Sequence, residues 1–181
     1  QMKRTFSALP PAAESAAVVL SAAGARWEVL SRQGRTLSLR WWAGTCEERV
    51  SEEGGVACRV SLPRGMGFAA ASGRGARAGR ESAEVALQVL LPGPDAIPPV
   101  GALGCTPVPP LPATALPERL REVAASLRQA LEPHAGIELV ELRASSGEAR
   151  SHLLTGEGHA AESHVAGAAV ELVLAADAGP A

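Results

Sequence analysis

The stretch 41–72, WWAGTCEERVSEEGGVACRVSLPRGMGFAAAS, constrains the fold more than any other part of the chain. Val56, Cys58, Val60 and Leu62 alternate with Ala57, Arg59 and Ser61, the period of a strand with one buried face. Met66, Phe68 and Ala70 alternate in the same way, and Pro63-Arg64-Gly65 between the two runs reads as a tight turn. Gly54-Gly55 sits where a hairpin needs residues that tolerate positive φ. The stretch is therefore predicted as a β-meander of three short strands. The apolar face of such a sheet needs a helix or a second sheet over it.

Three helical patterns supply candidates. In 11–23, Ala13, Ala16, Ala17, Leu20 and Ala23 form a smooth stripe, with Pro11 and Glu14 suited to the first turn and Gly24 to the stop. In 80–91, Ala83, Ala86, Val89 and Leu90 share a face, and Pro92-Gly93-Pro94 ends the run. In 116–131 the stripe is Leu120, Val123, Ala124, Leu127 and Leu131, opened by Pro117 and Glu118 and closed by Pro133 and Gly136. Further strands are predicted over 26–32, over 37–41 after a turn at Gln33-Gly34, and over 137–144, 148–154 and 161–175. The last three are separated by turns at 145–147 and 155–158.

Each half thus reads as a helix followed by a meander. The expected class is α+β, with two helix-plus-antiparallel-meander units (1–91 and 116–181) joined by a Pro-rich crossing segment, 92–115. Eight of the 14 prolines fall in 92–112, which reads as a semi-rigid connector or as an extended arm docking on a partner subunit.

Composition narrows the function classes. Apolar residues make up 46% of the 181, but aromatics only 3%, so stability is expected to lean on Leu and Val plus Phe6, Trp27, Trp41, Trp42 and Phe68. With 17 basic against 19 acidic residues and no basic stripe, nucleic acid is not expected as the main partner. No apolar run reaches the length of a membrane span, and residues 1–4 do not lead into a signal peptide, so a cytoplasmic location and no membrane partner are expected. Cys46, Cys58 and Cys105 form no CxxC spacing. Cys46 and Cys58 are expected on neighbouring strands, where a bridge is conceivable but reduced thiols fit the compartment better.

The segment that invites a metal reading is Gly158-His159-Ala160-Ala161-Glu162-Ser163-His164. A helical zinc motif would put both histidines on one face a turn apart, whereas this segment leads into a strand-like alternation. In a strand His159 and His164, five residues apart, point to opposite faces, while Glu162 and His164 share one. His159, Glu162 and His164 are the weak metal candidates, and the expectation is no metal site. His134 fits a helix C-terminus and His152, alternating with Arg150, a solvated strand face. Glu47, Glu48, Glu52 and Glu53 read as a solvated edge that resists strand addition. Gly73–Gly79 (GRGARAG) lacks the strand and the Lys-Ser/Thr ending of a phosphate loop, and no GxSxG occurs. Trp41 and Trp42 must face opposite ways in a strand, leaving one for a core and the other for a surface or interface.

The run Gly55-Val56-Ala57-Cys58-Arg59-Val60 followed by Gly65-Met66-Gly67-Phe68-Ala69 resembles the N-terminal domain of the TldD/PmbA family. The likeness extends to the opening helix ending at Gly24, to Glu84-Val85-Ala86-Leu87, to the Pro-rich crossing, to the 120–131 helix and to Leu154-Thr155-Gly156-Glu157-Gly158. It covers nearly the whole chain and rests on turn glycines and patterning, not on catalytic residues. One departure is that an aspartate-arginine pair common in the family reads Glu53-Gly54 here.

The family comprises zinc metallopeptidases, also described as modulators of DNA gyrase and as microcin-maturation proteases. Its zinc motif, histidine-glutamate, three residues and histidine on a helix, lies in a C-terminal domain. The resemblance implies a non-catalytic N-terminal domain or subunit that shapes a substrate channel and dimer interface for the cleavage of unfolded peptides. It implies no cofactor in this chain, zinc in the C-terminal domain, inactivity alone, and a C-terminal catalytic domain or homologous subunit as partner. Trp41, Trp42, Arg59 and Phe68 are the candidate peptide- or partner-binding residues. The alternatives are a free-standing adaptor that pairs with a catalytic homologue, and an unrelated interaction module.

Overall fold

The computed structural model describes residues 9–92, 116–132 and 136–176. The elements are α1 (Pro11–Ala22), β1 (Arg26–Trp42), β2 (Thr45–Leu62), β3 (Gly65–Ser72), α2 (Ala76–Gln88), β4 (Leu90–Leu91), α3 (Leu116–Leu131), β5 (Ile137–Thr155) and β6 (Ala160–Ala176). The strands form a six-stranded antiparallel sheet in the order β4-β3-β2-β1-β5-β6. The chain is therefore α+β. Among the described residues no helix is long and apolar enough to cross a membrane.

Three of the predicted turns do not exist. β1 runs straight through Gln33-Gly34, β2 through Gly54-Gly55, and β5 through 145–147, giving strands of 17, 18 and 19 residues. The hairpin between β1 and β2 turns instead at Ala43 (φ 45°) and Gly44 (φ 77°), the pair of left-handed residues that a two-residue hairpin loop of matching twist requires. The glycines inside strands serve close approach rather than reversal. A Cβ on Gly54 would sit 2.3 Å from the side chain of Arg74, and one on Gly147 would sit 3.1 Å from Oγ1 of Thr36. The turn at Pro63-Arg64 and the one after Thr155 lie where the sequence places them.

The chain divides into two compact units, neither continuous in sequence. The first comprises Gln1–Gln33, Glu53–Val108 and Arg150–His164. Its core joins Ala12, Ala13, Ala16 and Leu20 of α1, Ala83 and Ala86 of α2, and Trp27, Val29, Val56, Cys58, Val60 and Leu154 of the strands. Small residues make this core by letting backbones approach. A Cβ on Gly79 of α2 would lie 1.9 Å from the Ala12 carbonyl oxygen, and one on Gly67 of β3 would lie 1.8 Å from that of Ala86. Ser82 on α2 donates a hydrogen bond to the Ala69 carbonyl at 2.9 Å, tying helix to sheet. Full burial of Leu20, Val29 or Val60 contributes about 1.5–3 kcal/mol each.

α2 starts a turn earlier than the sequence pattern implies and stops at Gln88. Leu90 and Leu91 leave it to pair with Gly67 and Met66 on the edge of β3, satisfying backbone groups that a longer helix would leave open. Phe68, expected in the core, lies on the other face of β3 and is 64% exposed, and Phe6 lies outside the described residues.

The second unit comprises Gly34–Glu52, Pro109–Ala149 and Val165–Ala181. Here Leu120 and Ala124 of α3 pack on Leu37 and Leu39 of β1 and Leu142 and Ala144 of β5, with Trp41 and Leu139 at the margin. Val123, predicted in the buried stripe of α3, is instead exposed. The first residue of β2 to pair with β3 is Gly55, opposite Ser72, so 45–53 of β2 carry no strand on that side among the described residues. Glu47, Glu48, Glu52 and Glu53 stand exposed along this half-edge. Glu48 accepts both Nε and a terminal nitrogen of Arg121 at 3.2 and 2.7 Å, and Glu52 lies 4.0 Å from Arg35.

Candidate functional site

Trp41 and Trp42 close β1, and the left-handed turn at Ala43-Gly44 fixes them at the tip of the hairpin. Adjacent strand residues face opposite ways, and the two rings divide accordingly. Trp41 packs against the Leu37–Leu142 core beneath α3, whereas Trp42 shares its face with Arg40, whose guanidinium lies 4.6 Å from the indole centroid. Both rings are half-buried and border a groove of about 310 Å³, with Arg128 and Leu131 of α3 and Ile137 and Val140 of β5 on its other walls. Its lining mixes these apolar side chains with the charges of Arg128, Glu132 and Glu138.

On the face that carries Trp42 a ladder of charges crosses β1, β5 and β6. Arg40 donates to Glu141; Arg143 donates from two nitrogens to both oxygens of the same carboxylate at 2.9 Å each; and Arg143 also lies 3.6 Å from Glu171. The hydrogen bonds from Arg143 and then Arg40 hold the Glu141 carboxyl below the usual glutamate range. Every charge in this ladder has a partner, so it orders the sheet face and leaves no base or acid poised for reaction.

Arg59 and Phe68 belong to the first unit and are paired directly across β2 and β3. Arg59 donates from Nε to Glu28 at 2.9 Å and from a terminal nitrogen to the same oxygen, so its charge is held on the sheet face away from α1 and α2. Exposed Leu30 shares that face, which has a shallow hollow of about 330 Å³ bordered by Leu30, Arg32, Ala57 and Ala70. The four predicted binding residues therefore fall as two pairs, Arg59 with Phe68 and Trp41 with Trp42, in different units.

His159 stands just before β6, where its backbone N–H donates to Thr155 Oγ1 at 3.2 Å and its ring lies 4.0 Å from Glu157. Glu162 and His164 follow two residues apart within β6. Among the described residues no group of three or more His, Cys, Asp or Glu side chains gathers as metal ligands. His134 lies outside the described residues.

His152 was expected on a solvated face and is instead buried, with the same strand parity as buried Leu142, Ala144 and Leu154. That parity was the sequence signal, and pairing His152 with exposed Arg150 obscured it. Cys46 and Cys58, expected on neighbouring strands, lie on the same strand twelve residues apart, which excludes a bridge between them. Cys58 is buried, and burial pushes its thiol up against a smaller opposing effect of the Ser82 hydrogen bond.

No family model and no curated protein matches the sequence. Solved structures do. A proposed modulator of a DNA gyrase from Thermotoga maritima superposes with a TM-score of 0.75 at 13% identity, over 92% of this chain and 40% of its own. TldE from Thermococcus kodakarensis gives 0.70 at 14% identity, over 92% and 39%. The fold is that of the TldD/PmbA N-terminal domain. A proposed modulator of DNA gyrase from Bacteroides thetaiotaomicron, with a TM-score of 0.63 at 16% identity, shares the TldD/PmbA fold over 89% of this chain and 40% of its own. The chain thus spans about 40% of each neighbour's length.

Proposed function

We propose that this chain acts as the non-catalytic N-terminal domain or subunit of a TldD/PmbA-type zinc metallopeptidase. In this reading it shapes the substrate channel and pairs with a C-terminal catalytic domain or a homologous subunit that cleaves unfolded peptides in the cytoplasm. The observation that carries the reading is the asymmetry of coverage: the shared fold takes in nearly all of this chain and about two fifths of each neighbour. The helix-then-strands order, α1 before β1–β3 and α3 before β5–β6, with 92–115 as the crossing segment, belongs to the same reading.

In this reading zinc is not held by this chain. The histidine-glutamate-histidine cluster at 159–164 has its first histidine outside β6, lacks the helical spacing, and gathers no third ligand among the described residues. The metal and the water it activates would come from the catalytic part, and this chain's contribution would be to receive peptide. Two surfaces are suited to peptide: the Trp41–Trp42 groove, and the open sheet face carrying Phe68 and Arg59.

The test is elemental analysis of the purified chain together with a peptidase assay on unfolded peptides. The expected result is neither stoichiometric zinc nor cleavage. Stoichiometric zinc lost in His159→Ala and His164→Ala variants would overturn the reading and make that segment a metal centre.

A further inference from the structure

The groove at the tip of the β1–β2 hairpin lies within a single unit and draws negative potential from three separate sources. Trp41 and Trp42 border it, and the face of an indole attracts a cation. The last turn of α3, with Arg128 and Leu131, forms one wall, and the C-terminal end of a helix carries about half a negative charge. Glu138 is the third source. It lines the groove, it is exposed, and among the described residues it has no ion-pair or hydrogen-bond partner.

Among the described residues the lining holds one cation, Arg128, and that charge is already matched. Its Nε lies 3.8 Å from the carboxylate of Glu132, four residues on and also in the lining. Glu138 is therefore the unbalanced charge of the groove. The matching contact exists elsewhere on one of the rings: the Arg40 guanidinium lies 4.6 Å from the Trp42 centroid, and Arg40 does not line the groove.

We infer that this groove takes the guanidinium side chain of an arginine from an extended peptide, with the cation over an indole and against the Glu138 carboxylate. The apolar neighbours of that arginine would rest on exposed Ile137 and Val140. A guanidinium suits the site better than an ammonium because it is planar, stacks on aromatic faces and is more weakly hydrated. At about 310 Å³ the groove stands at the small end of ligand sites, which suits one long side chain and its neighbours. An acidic segment would meet Glu138 and the helix end with like charge. A purely apolar segment would cover that carboxylate without pairing it, at a cost in desolvation.

Selection for arginine rests on the proposed role of the groove in receiving peptide, and one experiment separates the two. A short capped peptide with an arginine between two leucines is titrated calorimetrically into the 181-residue chain, beside its citrulline analogue, which has the same shape and no charge. The arginine peptide is expected to bind about tenfold more tightly, the sum of a cation–π contact and an exposed ion pair, and the preference should shrink as salt rises. Glu138→Gln, at an exposed position, should keep the far-UV circular dichroism of the parent. It should weaken the arginine peptide about threefold and leave the citrulline peptide unchanged. Citrulline binding as tight as arginine would overturn the selection for arginine and leave the peptide-receiving role standing. Binding of neither peptide would overturn that role and the selection with it. An arginine preference unchanged in Glu138→Gln would overturn its assignment to this groove.

Discussion

Replacing Gly79 by alanine tests whether close helix approach, rather than large side chains, builds the first core. An added Cβ would lie 1.9 Å from the Ala12 carbonyl oxygen, 2.7 Å from its carbon and 3.0 Å from its Cα. A carbon meets an oxygen comfortably at about 3.3 Å or more, so α1 and α2 must separate by roughly 1.4 Å. Both contact partners are helix backbone and cannot swing away as a long side chain could. Such overpacking costs about 1–3 kcal/mol, and here the separation also loosens Ala12, Ala13 and Ala16 against α2. Alanine's better helix propensity offsets about 1 kcal/mol. With a contact this short the cost lies at the top of that range, so the net expectation is a loss of about 2 kcal/mol, or a urea midpoint lower by about 1 M for an ordinary slope of about 2 kcal/mol per M. Trp27 sits in this core, so its fluorescence in a Trp41→Phe, Trp42→Phe background reports the first unit. Gly167→Ala is the control: nothing lies within 4 Å of its Cβ, and a gain of about 0.4–1 kcal/mol is expected. A Gly79→Ala chain as stable as its parent would refute the close-packing argument.

Other perturbations follow from the same contacts. Glu141 has a depressed folded-state pKa, so its stabilisation is fully present above the ordinary glutamate value of about 4.3 and is lost as pH falls through the lower folded value. Urea midpoints measured against pH should therefore fall less steeply on the acid side for Glu141→Gln than for the parent, and the difference should shrink in high salt. Arg59→Ala removes both hydrogen bonds to Glu28, whose side chain is only 12% exposed, and should cost about 1–3 kcal/mol in urea unfolding. In a Cys105→Ser chain, a thiol reagent should modify exposed Cys46 at once and buried Cys58 only on unfolding; two fast thiols would contradict the placement of Cys58.

The class of fold was legible because alternation and helical stripes are read locally: the runs at 56–62 and 66–70, and the starts of α1 and α3, stand where their patterns put them. Strand lengths were not legible. Gln33-Gly34, Gly54-Gly55 and Ser145-Ser146-Gly147 have turn chemistry, yet each lies within a strand. At two of them neighbouring atoms occupy the space a Cβ would take, Arg74 at Gly54 and Thr36 at Gly147. A reversal and a close approach demand the same residue, and only the tertiary partner separates them. The true hairpin carries an alanine at φ 45°, a conformation that propensity argues against. The division of labour between Trp41 and Trp42 followed from strand parity, but which face would receive α3 did not. Parity also held the answer for His152, whose two-residue neighbour Leu154 is core.

The acidic half-edge of β2 also guards against strand addition. Glu47, Glu48, Glu52 and Glu53 stand exposed along it, and Glu48 and Glu52 are drawn to Arg121 and Arg35 of the same unit. An incoming strand would have to lie against carboxylates and displace those arginines to reach the backbone. Surface charges far from any reacting group thus keep an open stretch of sheet from becoming a template.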